Sequence, residues 1–232
     1  MAIEGILFDK DGTLLDYHET WMPVNRRAAL AAAGGDEALA GDLLALAGYD
    51  HASSRVRSNS PLAAWSNDAI AALWAGRAPG WEEGALTRVI EDIFLQASAA
   101  PVTDLAALFL RLKGRGLALG LATHDSAAGA EATVTRFGLG GLLDFVAGYD
   151  SGHGTKPGPG MVEGFCRATG LAPGAIAVVG DNLHDLEMGR AAGVALVVGV
   201  LTGTSHAADL APLADRVLDD ITQLEVLLDS LA

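Results

Sequence analysis

Five short apolar runs, set apart by helical pattern, constrain this chain more than any other feature. They are "IEGILF" (3–8), "LALGLA" (117–122), "FVAGY" (145–149), "AIAVVG" (175–180) and "VALVVGV" (194–200), each bounded by Gly, Pro or charged residues. Apolar runs of this length with β-branched content suit strands buried on both faces, as in a parallel sheet. Helical patterns fill the gaps between the last four. "DSAAGAEATVTRF" (125–137) offers Asp125 or Ser126 as N-cap and has Gly138 beyond its end, "PGPGMVEGFCRATG" closes on Gly170, and "NLHDLEMGRAAG" closes on Gly193. Alternation of this kind implies right-handed βαβ units in an α/β fold with an open, doubly wound parallel sheet.

The interval between the first two runs breaks that rhythm. Residues 16–99 carry only Ala/Leu-rich helical pattern, as in "NRRAALAAA", "DEALAGDLLALAG", "PLAAWSNDAIAALWAG" and "ALTRVIEDIFLQA". Ser60 before Pro61 has the form of an N-cap followed by Pro at the first helical position. So much helix exceeds a single crossover. The expected organisation is a core domain of residues 1–15 and 100–232 interrupted by an all-helical domain of residues 16–99, with linkers near 15–20 and 98–104.

Composition narrows the partners. Half the residues are hydrophobic, enough for a sizeable core, and the formal net charge of -14 lacks the basic footprint of nucleic-acid binding. The same acidity repels anionic membranes and anionic ligands at long range, so a phosphate site in this chain needs a local cation. A lone cysteine, Cys166, excludes an intramolecular disulfide framework, fits a reducing compartment and reads as a core thiol. The N-terminus has no basic n-region, and "GVALVVGVL" is far shorter than the roughly 20 residues of a membrane helix, so a cytoplasmic protein is expected. Nothing in the sequence reports an oligomeric state.

In open α/β sheets, ligands bind outside the carboxyl ends of the strands. The residues just after each run are therefore the informative ones. Asp9 and Asp11 follow the first run in "GILFDKDGTLLD", and Thr123 follows the second in "LATHDS". Lys156 lies in the loop "DSGHGTKPGP" beyond the third, and Asp181, Asn182 and Asp185 follow the fourth in "VVGDNLHD". Each has an ordinary structural explanation: "DG" makes turns, Thr123 can cap a helix, Lys156 can be a loop lysine, and Asp181 with Asp185 can be an N-cap and a first-turn acid.

Taken together, "DKDGT", the hydroxyl of "LATHD", the lysine of "TKPGP" and "GDNLHD" resemble, in kind and order, the four motifs of the haloacid dehalogenase-like hydrolase superfamily. The resemblance runs from residue 3 to about residue 200, and the helical insertion falls where that superfamily carries its helical cap. It implies a Rossmann-like core with an inserted cap domain. Asp9 would be the nucleophile forming an aspartyl-phosphate, and Asp11 the acid that protonates the leaving alkoxide and then deprotonates water. Mg²⁺ would be held by Asp9, the backbone carbonyl of Asp11, Asp181 and, directly or through water, Asp185. Lys156 would supply the local cation. Thr123 and its turn, with Gly12 and His124, would bind the phosphate.

Asp11 separates this chain from the dehalogenases proper, whose halide leaving groups need no proton. Among helical-cap members it looks most like a phosphoglycolate phosphatase acting on a small phosphate ester. A β-phosphoglucomutase-like mutase and a non-catalytic phosphate-sensing module are the alternatives. A phosphonate hydrolase is disfavoured because residues 16–99 contain no lysine for a Schiff base. The polar stretch "GYDHASSRVRSNS" (48–60) carries Arg55 and Arg57, candidates for an anionic group on the substrate.

Overall fold

In the computed structural model, which describes residues 2–58, 60–78, 80–82 and 84–231, the first apolar run forms β1 (Gly5–Phe8), buried along its whole length. The chain divides into two units, one of Tyr17–Ala100 and one of Met1–Asp16 with Pro101–Ala232.

The unit of Tyr17–Ala100 contains α1 (Tyr17–Ala32), α2 (Glu37–Leu46), a small hairpin of β2 (Tyr49–Asp50) and β3 (Arg55–Val56), α3 (Pro61–Ala64), α4 (Asn67–Ala75) and α5 (Ala85–Phe94). Asp36 caps α2 by accepting from the Ala38 and Leu39 N–H groups at 2.9 and 3.1 Å, satisfying donors the helix leaves open. The unit has its own core around Leu43, Trp74, Leu86 and Ile90. Trp74 is fully buried and donates its Nε1–H to the Leu43 carbonyl at 2.9 Å. The hairpin corrects the expectation of helix alone: Asp50 accepts from the Ala52 N–H at 2.9 Å and the Ser53 hydroxyl at 2.8 Å, folding the polar stretch back on itself.

The remaining unit is an α/β layer structure. After β1 come α6 (Leu105–Gly114), β4 (Ala118–Ala122), α7 (Ala127–Arg136), β5 (Phe145–Ala147) and α8 (Gly160–Thr169). Then follow β6 (Ile176–Gly180), α9 (Leu183–Ala192), β7 (Leu196–Val200), α10 (Ala207–Leu210), β8 (Arg216–Leu218) and α11 (Leu224–Leu231). The strands form one parallel sheet in the order β5-β4-β1-β6-β7-β8. Successive side chains of β1 face opposite ways. Ile6 and Phe8 join a cluster with Leu108, Phe109, Leu119 and Leu224, whereas Leu7 joins Met161, Phe165 and Val178. Cys166 packs beside that second cluster, half-buried, and burial pushes its thiol up.

Both edges of the sheet are pinned by the same device. Asp144, just before β5, exchanges hydrogen bonds with Leu119 of β4: its N–H donates to the Leu119 carbonyl at 2.7 Å and its carboxylate accepts the Leu119 N–H at 2.8 Å. Asp215, just before β8, does the same with Val197 of β7, both bonds at 2.8 Å. Each aspartate is also paired with a helix cation, Lys113 for Asp144 and Arg190 for Asp215, both at 2.8 Å. Burial raises these carboxyls, but the cations and backbone donors win and hold both below the ordinary range. This device explains β8, a three-residue strand too short to stand out in the sequence.

Candidate active site

β1 lies between β4 and β6, and Phe8 stands level with Leu121 and Val179. The three chains therefore leave the sheet at the same edge, delivering Asp9, Thr123 and Asp181 side by side. The Asp9 N–H still donates to the Val179 carbonyl at 2.9 Å, so its side chain is fixed by the sheet. Asp9, Asp181 and Asp185 are all buried, and each offers a carboxylate oxygen within 4.8 Å of the others.

Lys156 ties this cluster together. Its Nζ donates to Asp9 Oδ1 at 2.6 Å and Asp185 Oδ1 at 2.5 Å, and its side chain is 1% exposed. Burial works against the ammonium, but Asp185 and Asp9 outweigh it and raise its pKa. Burial likewise pushes the Asp9 carboxyl up to about 7, partly opposed by Lys156 and reinforced by Asp185. Asp181, buried beside two further carboxylates, is raised well above its ordinary value. Three buried carboxylates against one ammonium leave negative charge unmet, and burial of unmet charge is costly. The donors are all hard oxygens. That charge excess and donor chemistry fit a divalent cation.

Asp185 has a second duty. As third residue of α9 it accepts the Asn182 N–H at 3.1 Å through Oδ2, while the Asn182 side chain caps the helix. The N-cap is thus Asn182, and Asp181 stands free of the helix with Oδ2 accepting the Thr204 N–H at 3.3 Å. Gly12 is required where it stands: its φ is +91°, and a Cβ there would lie 2.5–2.7 Å from the Asp181 carboxylate.

Thr123 is buried, and its Oγ1 accepts the Asp125 N–H at 3.0 Å, shaping the turn into α7, which Ser126 caps. His124 bonds the Lys156 carbonyl through Nε2 at 3.1 Å, so that nitrogen carries the hydrogen. Burial first, then Lys156, lowers its pKa. Arg55 and Arg57 belong to the other unit, Arg55 half-buried on β3 and Arg57 exposed, its N–H donated to the Gly48 carbonyl at 3.0 Å.

Two features went unassigned in the sequence. Lys10, between the paired aspartates, is buried, with its Nζ 2.9 Å from Asp11 Oδ2 and 2.8 Å from Asp125 Oδ2. Burial opposes its charge, but Asp11 and Asp125 raise it above the ordinary lysine value. The loop after β7 also turns in: Thr202 donates its hydroxyl to the Gly12 carbonyl at 2.7 Å, and Thr204 meets Asp181. Applying the strand-end rule to the fifth run, as to the first four, points to "TGTS" (202–205).

The core is thus a parallel α/β sheet with an interrupted first crossover and acidic groups gathered at its carboxyl edge. The chain belongs to the haloacid dehalogenase-like hydrolase family, whose model matches residues 3–193. It is 31% identical over 114 residues to the phosphoglycolate phosphatase of Haemophilus influenzae, a match covering 49% of this chain and 50% of that protein. It is 26% identical over 196 residues to the N-acetylmuramic acid 6-phosphate phosphatase of Pseudomonas aeruginosa, covering 83% and 80% respectively. In its matches to the first of these curated relatives the chain spans about half their length. The crystal structure of a β-phosphoglucomutase candidate from Thermotoga maritima shares the fold, with a TM-score of 0.74 at 16% identity over 99% of this chain and 100% of that one. Among the described residues, no helix is long and apolar enough to cross a membrane.

Proposed function

We propose that this protein is a Mg²⁺-dependent phosphatase that hydrolyses a small phosphate monoester through an aspartyl-phosphate on Asp9. The observation that carries the proposal is the buried meeting of Asp9, Lys156, Asp181 and Asp185 at the end of the central strand. Asp9, Asp181 and the Asp11 carbonyl would hold Mg²⁺, with Asp185 beside them. Bound there, the ion would offset charge on the phosphoryl oxygens.

The chain's own residues account for the rest. The Asp9 carboxylate attacks phosphorus, and the bond to the ester oxygen breaks with its electron pair on the leaving alkoxide. The proton of Asp11 goes to that oxygen, giving the alcohol. Asp11, now a carboxylate, takes a proton from water while the water oxygen attacks the acyl phosphate. The bond from Asp9 to phosphorus then breaks, returning free Asp9, inorganic phosphate and protonated Asp11. Lys156 meets the charge shared between Asp9 and the phosphate, and Asp185 holds that lysine in line. Thr123 and its turn hold the phosphate oxygens at the start of α7. Gly12 supplies the close backbone approach.

The phosphatase relatives support this reading, and their names carry two different esters, so the substrate is given by class alone. The test is phosphate release from a panel of small esters with Mg²⁺, with Asp9→Asn as control. Isomerised sugar phosphate without free phosphate would instead support the mutase.

A further inference from the structure

We propose, on the metal-dependent phosphatase reading above, that Thr202 is a positioning residue that locks the Asp181 carboxylate in the orientation that serves the metal. None of the roles assigned so far uses its hydroxyl. Its loop also lies beyond residues 3–193, the part of the chain that the family model matches.

The sheet order supplies the first argument. β6, which ends just before Asp181, lies between β1 and β7. The loops leaving those two neighbours both reach Asp181, and each does so with a glycine. A Cβ on Gly12 would stand 2.5, 2.6 and 2.7 Å from Cγ, Oδ2 and Oδ1 of Asp181. Distances so nearly equal mean that this backbone covers the face of the carboxylate. A Cβ on Gly203 would overlap Oδ2, Cγ and Cβ of the same side chain. The next residue, Thr204, donates its N–H to Oδ2 at 3.3 Å.

The second argument is the bond that joins the two loops. Thr202 Oγ1 donates to the Gly12 carbonyl at 2.7 Å, across 190 residues of sequence. Each loop is braced on its own side. The Gly12 N–H donates to the Leu15 carbonyl at 2.8 Å, and the Leu14 and Leu15 N–H groups donate to the Lys10 carbonyl at 2.9 and 3.0 Å. The other loop is rooted at β8, where the Leu201 N–H donates to the Leu218 carbonyl at 3.2 Å. Two braced loops joined by one hydroxyl form a clip around Asp181, which is buried. Groups that hold a ligand in this way fix its orientation towards the ion. Mg²⁺ demands near-ideal octahedral geometry, whereas Ca²⁺ accepts varied ligand numbers and distances. Opening the clip lets the carboxylate turn, and that freedom costs Mg²⁺ binding more than Ca²⁺ binding.

The test measures the dissociation constants of Mg²⁺ alone and of Ca²⁺ alone for the whole chain as wild type, Thr202→Val, Thr202→Ser and Thr202→Ala. Calorimetry gives them directly, and the rise in melting temperature over EDTA gives them by linkage. Thr202→Val keeps the shape and removes the hydroxyl. It is expected to weaken Mg²⁺ about tenfold or more and Ca²⁺ about threefold or less, within the usual worth of a group that orients a metal ligand. Thr202→Ser keeps the hydroxyl and should bind Mg²⁺ within about threefold of wild type. Equal weakening of the two ions, no weakening, or a Ser variant as weak as the Val variant overturns the proposal. If Thr202→Val does not fold, Thr202→Ala carries the comparison, since it removes the same donor without a branched side chain. A loss selective for Mg²⁺ then supports the proposal and an equal loss refutes it. A wild-type protein that binds neither ion overturns the metal site itself and this proposal with it, a result distinct from equal weakening in the variants.

Discussion

Replacing Lys156 with Met removes the cation that touches both Asp9 and Asp185 while keeping most of the side-chain volume. The cavity contribution is therefore small, and the cost is that of two carboxylates left buried without their partner. Removing one member of a buried ion pair costs about 3–5 kcal/mol. Here one Nζ serves two carboxylates at 2.6 and 2.5 Å with a side chain 1% exposed, which places the loss in the upper part of that range. For a chain of this size the melting temperature should fall by roughly 10–20 °C. The assay is urea and thermal unfolding at pH 7.5 in EDTA, repeated with saturating Mg²⁺. The ion meets part of the exposed charge, so it should recover more stability in the variant than in wild type; saturation at 100 times the dissociation constant is worth about 2.7 kcal/mol. A variant within about 1 kcal/mol of wild type in EDTA would refute this electrostatic reasoning, because buried carboxylates cannot lose their counter-charge without cost.

Gly12→Ala combines a φ of +91° with a Cβ pressed against the Asp181 carboxylate, so a stability loss of about 1–3 kcal/mol and weaker Mg²⁺ binding by calorimetry are expected. In the unit of Tyr17–Ala100, Trp74→Ala should cost about 3–5 kcal/mol by thermal unfolding, since it empties a fully buried site and removes one of the two N–H donors to the Leu43 carbonyl. Stability should also depend on pH in two opposite ways, readable by urea titration in EDTA. Asp9 is raised from 3.8 to about 7, so the folded state holds its proton more tightly than the unfolded chain, and this site loses stability as pH rises across that window. Asp144 and Asp215 are lowered, so their contribution is present above 3.8 and is lost as pH falls through their folded values, a loss that Asp144→Asn should reduce.

The sheet was legible because a parallel strand buried on both faces must be apolar throughout, and β1, β4, β6 and β7 each fall within an apolar run of the sequence. The site was legible for a related reason. Polar residues placed just beyond such strands mark the carboxyl edge, so Asp9, Thr123 and Asp181 follow from position, whereas Lys156 needed the loop and the family pattern as well. Much of what escaped was set by contacts distant in sequence. β8 exists because Asp215 grips β7, and "RVL" carries no comparable signal of its own. The hairpin of Tyr49–Val56 depends on side chains folding back onto a polar turn, which in sequence looks like any loop. Lys10 was visible as a letter between two aspartates, but its partner Asp125 lies 115 residues away, and only the folded chain brings them together.

Asp9 as nucleophile is the claim on which the functional assignment turns. Its most direct test is the rate of Mg²⁺-dependent phosphate release from p-nitrophenyl phosphate by wild type and by Asp9→Asn, with fold checked by circular dichroism and metal binding measured separately. A carboxamide has the shape of the carboxylate but not its charge or nucleophilicity, so release should fall by at least about a thousandfold, as for loss of an activated nucleophile. Release from the folded variant within tenfold of wild type would contradict the assignment, and the nucleophile would have to be sought elsewhere.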